Sequence, residues 1–384
     1  MSQTLIADIS RQSLEKLNNC KQATIADVRL LSSYNWIDAP KDSPTIVVPG
    51  IPGRWSPPAR HRRLPKDSGM VYVNQNAARH PASPMEPLFR AVHISQPAFD
   101  FSSVDIVTDR NSLRKLLSFI NPSSARNGLE AFTINIEVVQ NTVIFTRDTK
   151  LTYEIIGKDE FRGYGHQFEK AYTTRNIIGS TGHNRIISYN FGGHKLVVRH
   201  DLSGYVPGKT LTTNDDEVVE LLDSLSLSPK KRASTEAGPG SKLRVRREGH
   251  LLPRASTLEI KTRAQHKSLP FNDIAAQLWM SQTPNLVRAY HRGGTFSNPE
   301  VEDVTAKLNR WEKDNRSHLK RLAALIGRIL TLVRKDGGVS GAVLQYNPTL
   351  DRLSVWKTEK GRTLPEDIYL LWRGRLSVTP PTAK

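Results

Sequence analysis

From about residue 89 onward, apolar and polar positions follow two rhythms, one of period two and one of three to four, and these predict the elements. "SLRKLLSFI" (112–120) is amphipathic at helical spacing, and "FTINIEVV" and "NTVIFTR" alternate as two strands around a turn at Gln140 and Asn141. A second hairpin joins "RIISYNF" to "HKLVVRHD" through Gly192 and Gly193, and its return strand ends at Asp201. "STLEIKTRA" (256–264) reads as a strand, "FNDIAAQLWM" as a helix and "PNLVRAYHR" as a buried strand. Val304, Leu308, Trp311, Leu319, Leu322, Ile326, Ile329 and Val333 predict one long helix over about 301–335, stopped by Gly337 and Gly338. "VSGAVLQYNP" and "RLSVWKTE" close the pattern as a last hairpin. This order predicts an α/β (α+β) fold, a mixed twisted sheet flanked by helices.

The first 88 residues read differently. Residues 2–33 carry aliphatics at helical spacing, and 39–88 are crowded with Pro and basic residues, so 1–88 reads as an N-terminal arm, partly helical and then extended. A Ser/Pro/Gly-rich stretch at about 224–255, with Lys230-Lys231-Arg232 and "KLRVRR", reads as a flexible basic insert. "STGHNR" (180–185) reads as a polar turn.

Charge narrows the partners. Lys and Arg number 55 against 37 acids, a formal net charge of +18 that favours a polyanion such as nucleic acid. Cys20 is the one cysteine, which leaves no intramolecular disulfide or thiolate zinc site and suits a reducing compartment. "LAALIGRILTLV" is too short to span a bilayer, so no membrane is expected. The basic clusters fit a nuclear import signal or an RNA-contacting loop, leaving nuclear and cytoplasmic residence both open, with nuclear favoured by the insert. "NDDEVVELL" is the nearest approach to the Asp-rich repeats of a prenyl diphosphate synthase and reads instead as a helix start, which excludes that class.

The candidate chemistry begins at "LEIKT". Leu258 and Ile260 point to one side of the strand, and Glu259 and Lys261 point together to the other. An ion pair on a solvated face is the plain reading, since about one Glu-x-Lys arises by chance at this length. Asp201 at a strand end and Glu169 in "GYGHQFEKAYT" add two acids that a sheet edge could bring beside the pair, as a phosphodiesterase needs to hold Mg2+ or Mn2+ through oxygen. His166, His183, His194 and His200 match no metal-ligand spacing, and Trp279 and Trp311 lie on apolar helix faces.

"GHQFE" (165–169), "RHDLS" (199–203), "LEIKT" (258–262) and "AQLWMSQTPNLVRAYHR" (276–292), in this order, resemble the DXO family of RNA 5′-end decapping and exoribonuclease enzymes, within the PD-(D/E)XK nuclease superfamily. "TDRNSLRKLL" is similar to the family's first motif. The resemblance spans roughly 90–370, and it implies a nuclease-like core in 89–384 and removal of incomplete or non-canonical caps, pyrophosphohydrolase action or 5′–3′ digestion. It implies a Mg2+ or Mn2+ cofactor held by Glu169, Asp201, Glu259 and the carbonyl of Ile260. Lys261 would stand beside the scissile phosphate, Gln277 near it, and Arg110 on the RNA backbone. It also allows a partner exoribonuclease. His166 departs mildly from the pattern, standing where an aromatic or aliphatic residue is usual. The larger departure is Ser203: Asp201 takes the first place of an acid-φ-Asp motif, and a serine hydroxyl, a poor ligand for a hard cation, takes the second. Two expectations follow: a phosphodiesterase in which Asp201 suffices, or an RNA-end-binding or partner-binding relative disabled by Ser203.

Overall fold

The computed structural model describes residues 4–15, 23–60, 62–124, 128–208, 236–238, 240–335, 341–359 and 362–372. The basic triplet at 230–232, the acidic stretch 214–222 and the glycines at 337 and 338 lie outside them. In chain order the main strands are β1 (Thr4–Ile9), β2 (Ile25–Ile37), β3 (Thr45–Gly50), β4 (Gly69–Tyr72), β5 (Ile106–Asp109), β6 (Phe132–Val139), β7 (Thr142–Asp148), β8 (Tyr153–Ile156), β9 (Ser180–Phe191), β10 (His194–Asp201), β11 (Arg244–Gly249), β12 (Thr257–Ala264), β13 (Asn285–Arg292), β14 (Gly341–Asn347) and β15 (Arg352–Lys357). The main helices are α1 (Glu86–Ser95), α2 (Arg110–Ile120), α3 (Gly165–Tyr172), α4 (Asn272–Ser281), α5 (Thr305–Asp314) and α6 (Arg316–Arg334).

A twelve-stranded sheet runs β1-β15-β14-β6-β7-β5-β10-β9-β2-β3-β11 and ends on Glu236–Ala237. It is mixed, with β5 parallel to both β7 and β10 and β3 parallel to β11. Helices α2, α4, α5 and α6 cover one face through Leu116, Leu278, Trp279, Trp311 and Ile326, while α1 covers the other through Leu88, Phe89 and Val92. A seven-stranded sheet is built on the parallel pair β12 and β13, and α3 packs on it through Phe168 and Tyr172 against Leu258 and Ile260. This is the mixed, helix-flanked sheet that the patterning predicts.

Four elements differ from the sequence reading. The stretch read as an arm supplies β2 and β3 to the interior of the large sheet, because Leu31, Tyr34, Trp36, Ile46 and Val48 are buried there. "KLRVRR" is not wholly loop: Arg244–Gly249 pairs with β3. The segment 180–185 is the start of β9 and not a turn. The long helix is two, broken at Asn315 (φ −100°, ψ 12°), and Val301–Asp303 is a short strand against β13. Apolar spacing alone could not show that break, since the buried face runs on through it.

Candidate functional site

Two chain crossings create the site. β5 passes straight into α2, so Asp109 and Arg110 stand at the edge where β10 ends in Asp201. From Asp201 the chain leaves the large sheet for the small one, where Gly204 pairs with Leu258 of β12. A Cβ on Gly204 would meet the Gly53 carbonyl oxygen at 2.8 Å, so the crossing is held by a residue without one. Ser203 is thereby brought to α3, and Glu259 and Lys261 face the same space from β12.

α3 is positioned by its first turn. Gly163, at φ +139°, lets the chain enter, and buried Asp67 accepts the Gln167 backbone N–H at 2.9 Å in place of a local cap. Phe168 then faces the small-sheet core, which turns Glu169 toward the site.

The residues named from sequence do come together. Glu259 is 2% exposed; its Oε1 accepts from Lys261 Nζ and from Gln277 Nε2, each at 2.7 Å. Arg110, also buried, donates from Nη2 to Asp201 Oδ1 at 2.6 Å and holds Nη1 3.7 Å from Glu259 Oε2. Ser203 Oγ donates to Glu169 Oε1 at 3.3 Å. Ile260 faces the small-sheet core with its side chain, and His166 lies on the cavity wall.

Electrostatics sort these groups. Burial, and then the nearby charge of Glu259, push the Glu169 carboxyl up to about 7, against the pull of Lys261 and Ser203. The enclosing recess acts to raise Asp201, but Arg110 and Lys261 outweigh it and hold the carboxyl below its ordinary value, while the side chain itself is reached by water. His200 is lowered by burial and by Arg110, to about 3, and is a neutral imidazole at physiological pH. Arg199 is fully buried and structural: it grips Asp109 with Nε and Nη2 at 2.6 and 3.0 Å and donates to the Pro84 carbonyl at 2.8 Å.

The cavity above these groups has a volume of about 790 Å3. Among its lining residues cations outnumber acids, and they include Arg114, Arg147 and Lys170, which the sequence reading missed. Arg114 is legible in principle, four residues after Arg110 on one helix face. Arg147 is not, because only the pairing of β7 with β5 brings it to this edge.

A resident divalent cation is what the motifs imply, and the donors here fit one only in part. Glu169, Asp201 and Glu259 converge, and Glu259 Oε2 is buried with no hydrogen-bond partner, but Glu259 Oε1 is engaged by Lys261 and Gln277 and Asp201 is bound to Arg110. Where the motif calls for an aspartate, Ser203 is spent on Glu169. Among the described residues no three His, Cys, Asp or Glu gather as a metal cage. Nor is any described helix long and apolar enough to cross a membrane.

Fold and site together define a mixed α/β scaffold, its sheets flanked by helices, that carries a basic, carboxylate-containing pocket. Solved structures bear out the scaffold. Rai1 of Scheffersomyces stipitis, in complex with (3′-NADP)+ and calcium ion, aligns with a TM-score of 0.57 at 11% identity over 97% of this chain and 98% of that one. S. pombe Rai1 gives 0.55 at 11% over 92% and 99%, and Candida albicans Rai1 in complex with pU5-Mn2+ gives 0.54 at 12% over 92% and 97%. At this identity the likeness is one of fold, and it is the DXO-like fold the motifs led us to expect. The chain itself belongs to the family described as a domain of unknown function (DUF8563), which matches residues 9–372. No curated protein matches it.

Proposed function

We propose that the pocket binds the phosphorylated 5′ end of an RNA and holds it without metal-dependent hydrolysis. The observation that carries this reading is Ser203: where the motif places an aspartate, a hydroxyl bonds to Glu169, while the Arg110 guanidinium stands between Asp201 and Glu259. With Lys261 it presents two cations to a phosphate, which they would receive directly through charge-assisted hydrogen bonds. The pU5 bound to Candida albicans Rai1 supports RNA as the ligand class, and the net charge of +18 supports a polyanion. Base-specific readout is not part of the proposal, because sequence-independent phosphate contacts would supply the affinity.

The test is fluorescence anisotropy of a labelled 5′-monophosphate RNA, run beside a cleavage assay in Mn2+. Binding should survive EDTA, weaken about tenfold on Arg110→Gln, and proceed without product. Cleavage by the wild type that disappears in Glu259→Gln would overturn this reading in favour of a metal-dependent phosphodiesterase or decapping enzyme. Binding that needs Mn2+ would overturn it as well.

A further inference from the structure

The 790 Å3 cavity is far larger than one phosphate requires, and Arg110 with Lys261 accounts for only one end of it. Arg114 follows Arg110 by one helical turn on α2 and stands exposed in the same cavity. Arg147 reaches it from the end of β7, where its one described bond is a long 3.4 Å contact from Nη1 to the Val73 carbonyl. Neither guanidinium is paired with a carboxylate among the described residues. By contrast Arg199, Arg90 and Arg288 are each locked to an acid.

Like charges held side by side in a recess cost free energy that a bound anion offsets. The enclosing recess and then Arg110 disfavour the charged form of Arg114 although its side chain is reached by water, Arg147 adds to this, and Arg147 is itself disfavoured by the recess, with Asp109 and Asp201 only partly compensating. The N-terminus of α2 opens into the same space, and its N-cap Asp109 makes no side-chain cap bond because its carboxylate is given to Arg199.

We infer that Arg114 and Arg147 form a second phosphate subsite beside the Arg110–Lys261 one, so that the pocket selects a ligand carrying two neighbouring phosphoryl groups. This rests on the RNA-end reading and assigns specificity within it. The second phosphate has two sources, a pyrophosphate extension at the 5′ end or the first backbone phosphate, and the experiment separates them.

Binding of inorganic phosphate and of pyrophosphate is measured by calorimetry on the whole chain, followed by competition with a nucleoside 5′-triphosphate and with a 5′-phosphorylated dinucleotide. Wild type should take pyrophosphate about tenfold more tightly than phosphate, and Arg114→Gln or Arg147→Gln should bring that ratio close to one. Arg110→Gln should weaken both anions and leave the ratio standing. The stronger of the two nucleotide competitors identifies the source, and each is compatible with the subsite. A wild-type ratio near one overturns the inference without any variant, as does a ratio that neither Gln variant changes. Failure of the RNA-end reading looks different: the anion ratio persists while 5′-phosphate and 5′-hydroxyl RNA compete equally.

Discussion

Glu169 keeps its proton further up the pH scale than an ordinary carboxyl because burial, followed by the charge of Glu259, opposes ionisation. Its folded-state value of about 7 lies above the roughly 4.5 of an unfolded glutamate, so the folded chain binds the extra proton between these limits. Its contribution to stability is therefore favourable at low pH and is lost as pH rises through about 7. Thermal melts of wild type and Glu169→Gln should show the variant gaining on the wild type between pH 5 and pH 8. A difference that stays constant with pH would show that Glu169 titrates normally. The same scale explains why Ser203 was readable from sequence and its consequence was not: its identity is local, but its bond to Glu169 joins residues 34 positions apart.

Among the elements, α3 and β12 form the unit that presents Glu169 and Glu259. Phe168 is fully buried and stacks on Tyr172 with ring centroids 3.9 Å apart, and both rest on Leu258 and Ile260. Phe168→Ala should cost about 3–5 kcal/mol, seen as a lower urea midpoint, and should raise amide exchange across 165–172 ahead of the rest of the chain. Unchanged protection there would mean that α3 is held by Asp67 alone. Hairpins such as β6–β7 and β9–β10 and helices such as α2 and α4 were legible because period and turn chemistry act over a few residues. β2 and β11 were not, since the aliphatics leading into β2 fall at helical spacing and the basic content of β11 resembles a loop until β9 and β3 pair with them.

For the molecule as a whole, the proposed RNA-end binding makes the balance of charge set how tightly the ligand is held and how far salt weakens it. If Arg110 with Lys261 and the Arg114–Arg147 subsite together neutralise about two phosphates, the logarithm of the binding constant should fall with the logarithm of salt at a slope of about −1.4. Anisotropy titrations between low and physiological salt give that slope, and a value near zero would remove direct phosphate contacts from the account.

By itself the sequence determined the α/β class, most hairpins and helices, the apolar faces that bury them, the strong positive charge, and the set of residues that converge, from Arg110 through Glu169, Asp201 and Glu259 to Lys261 and Gln277. Each of these is written in composition, short-range periodicity or a motif a few residues long. The tertiary structure alone decided that Arg110 lies among the carboxylates, that Ser203 is turned toward Glu169, that Arg147 joins the cavity, and that the supposed arm is interior sheet. Those facts depend on which strands lie side by side, and strand pairing across a hundred or more residues is set by the packing of the whole core.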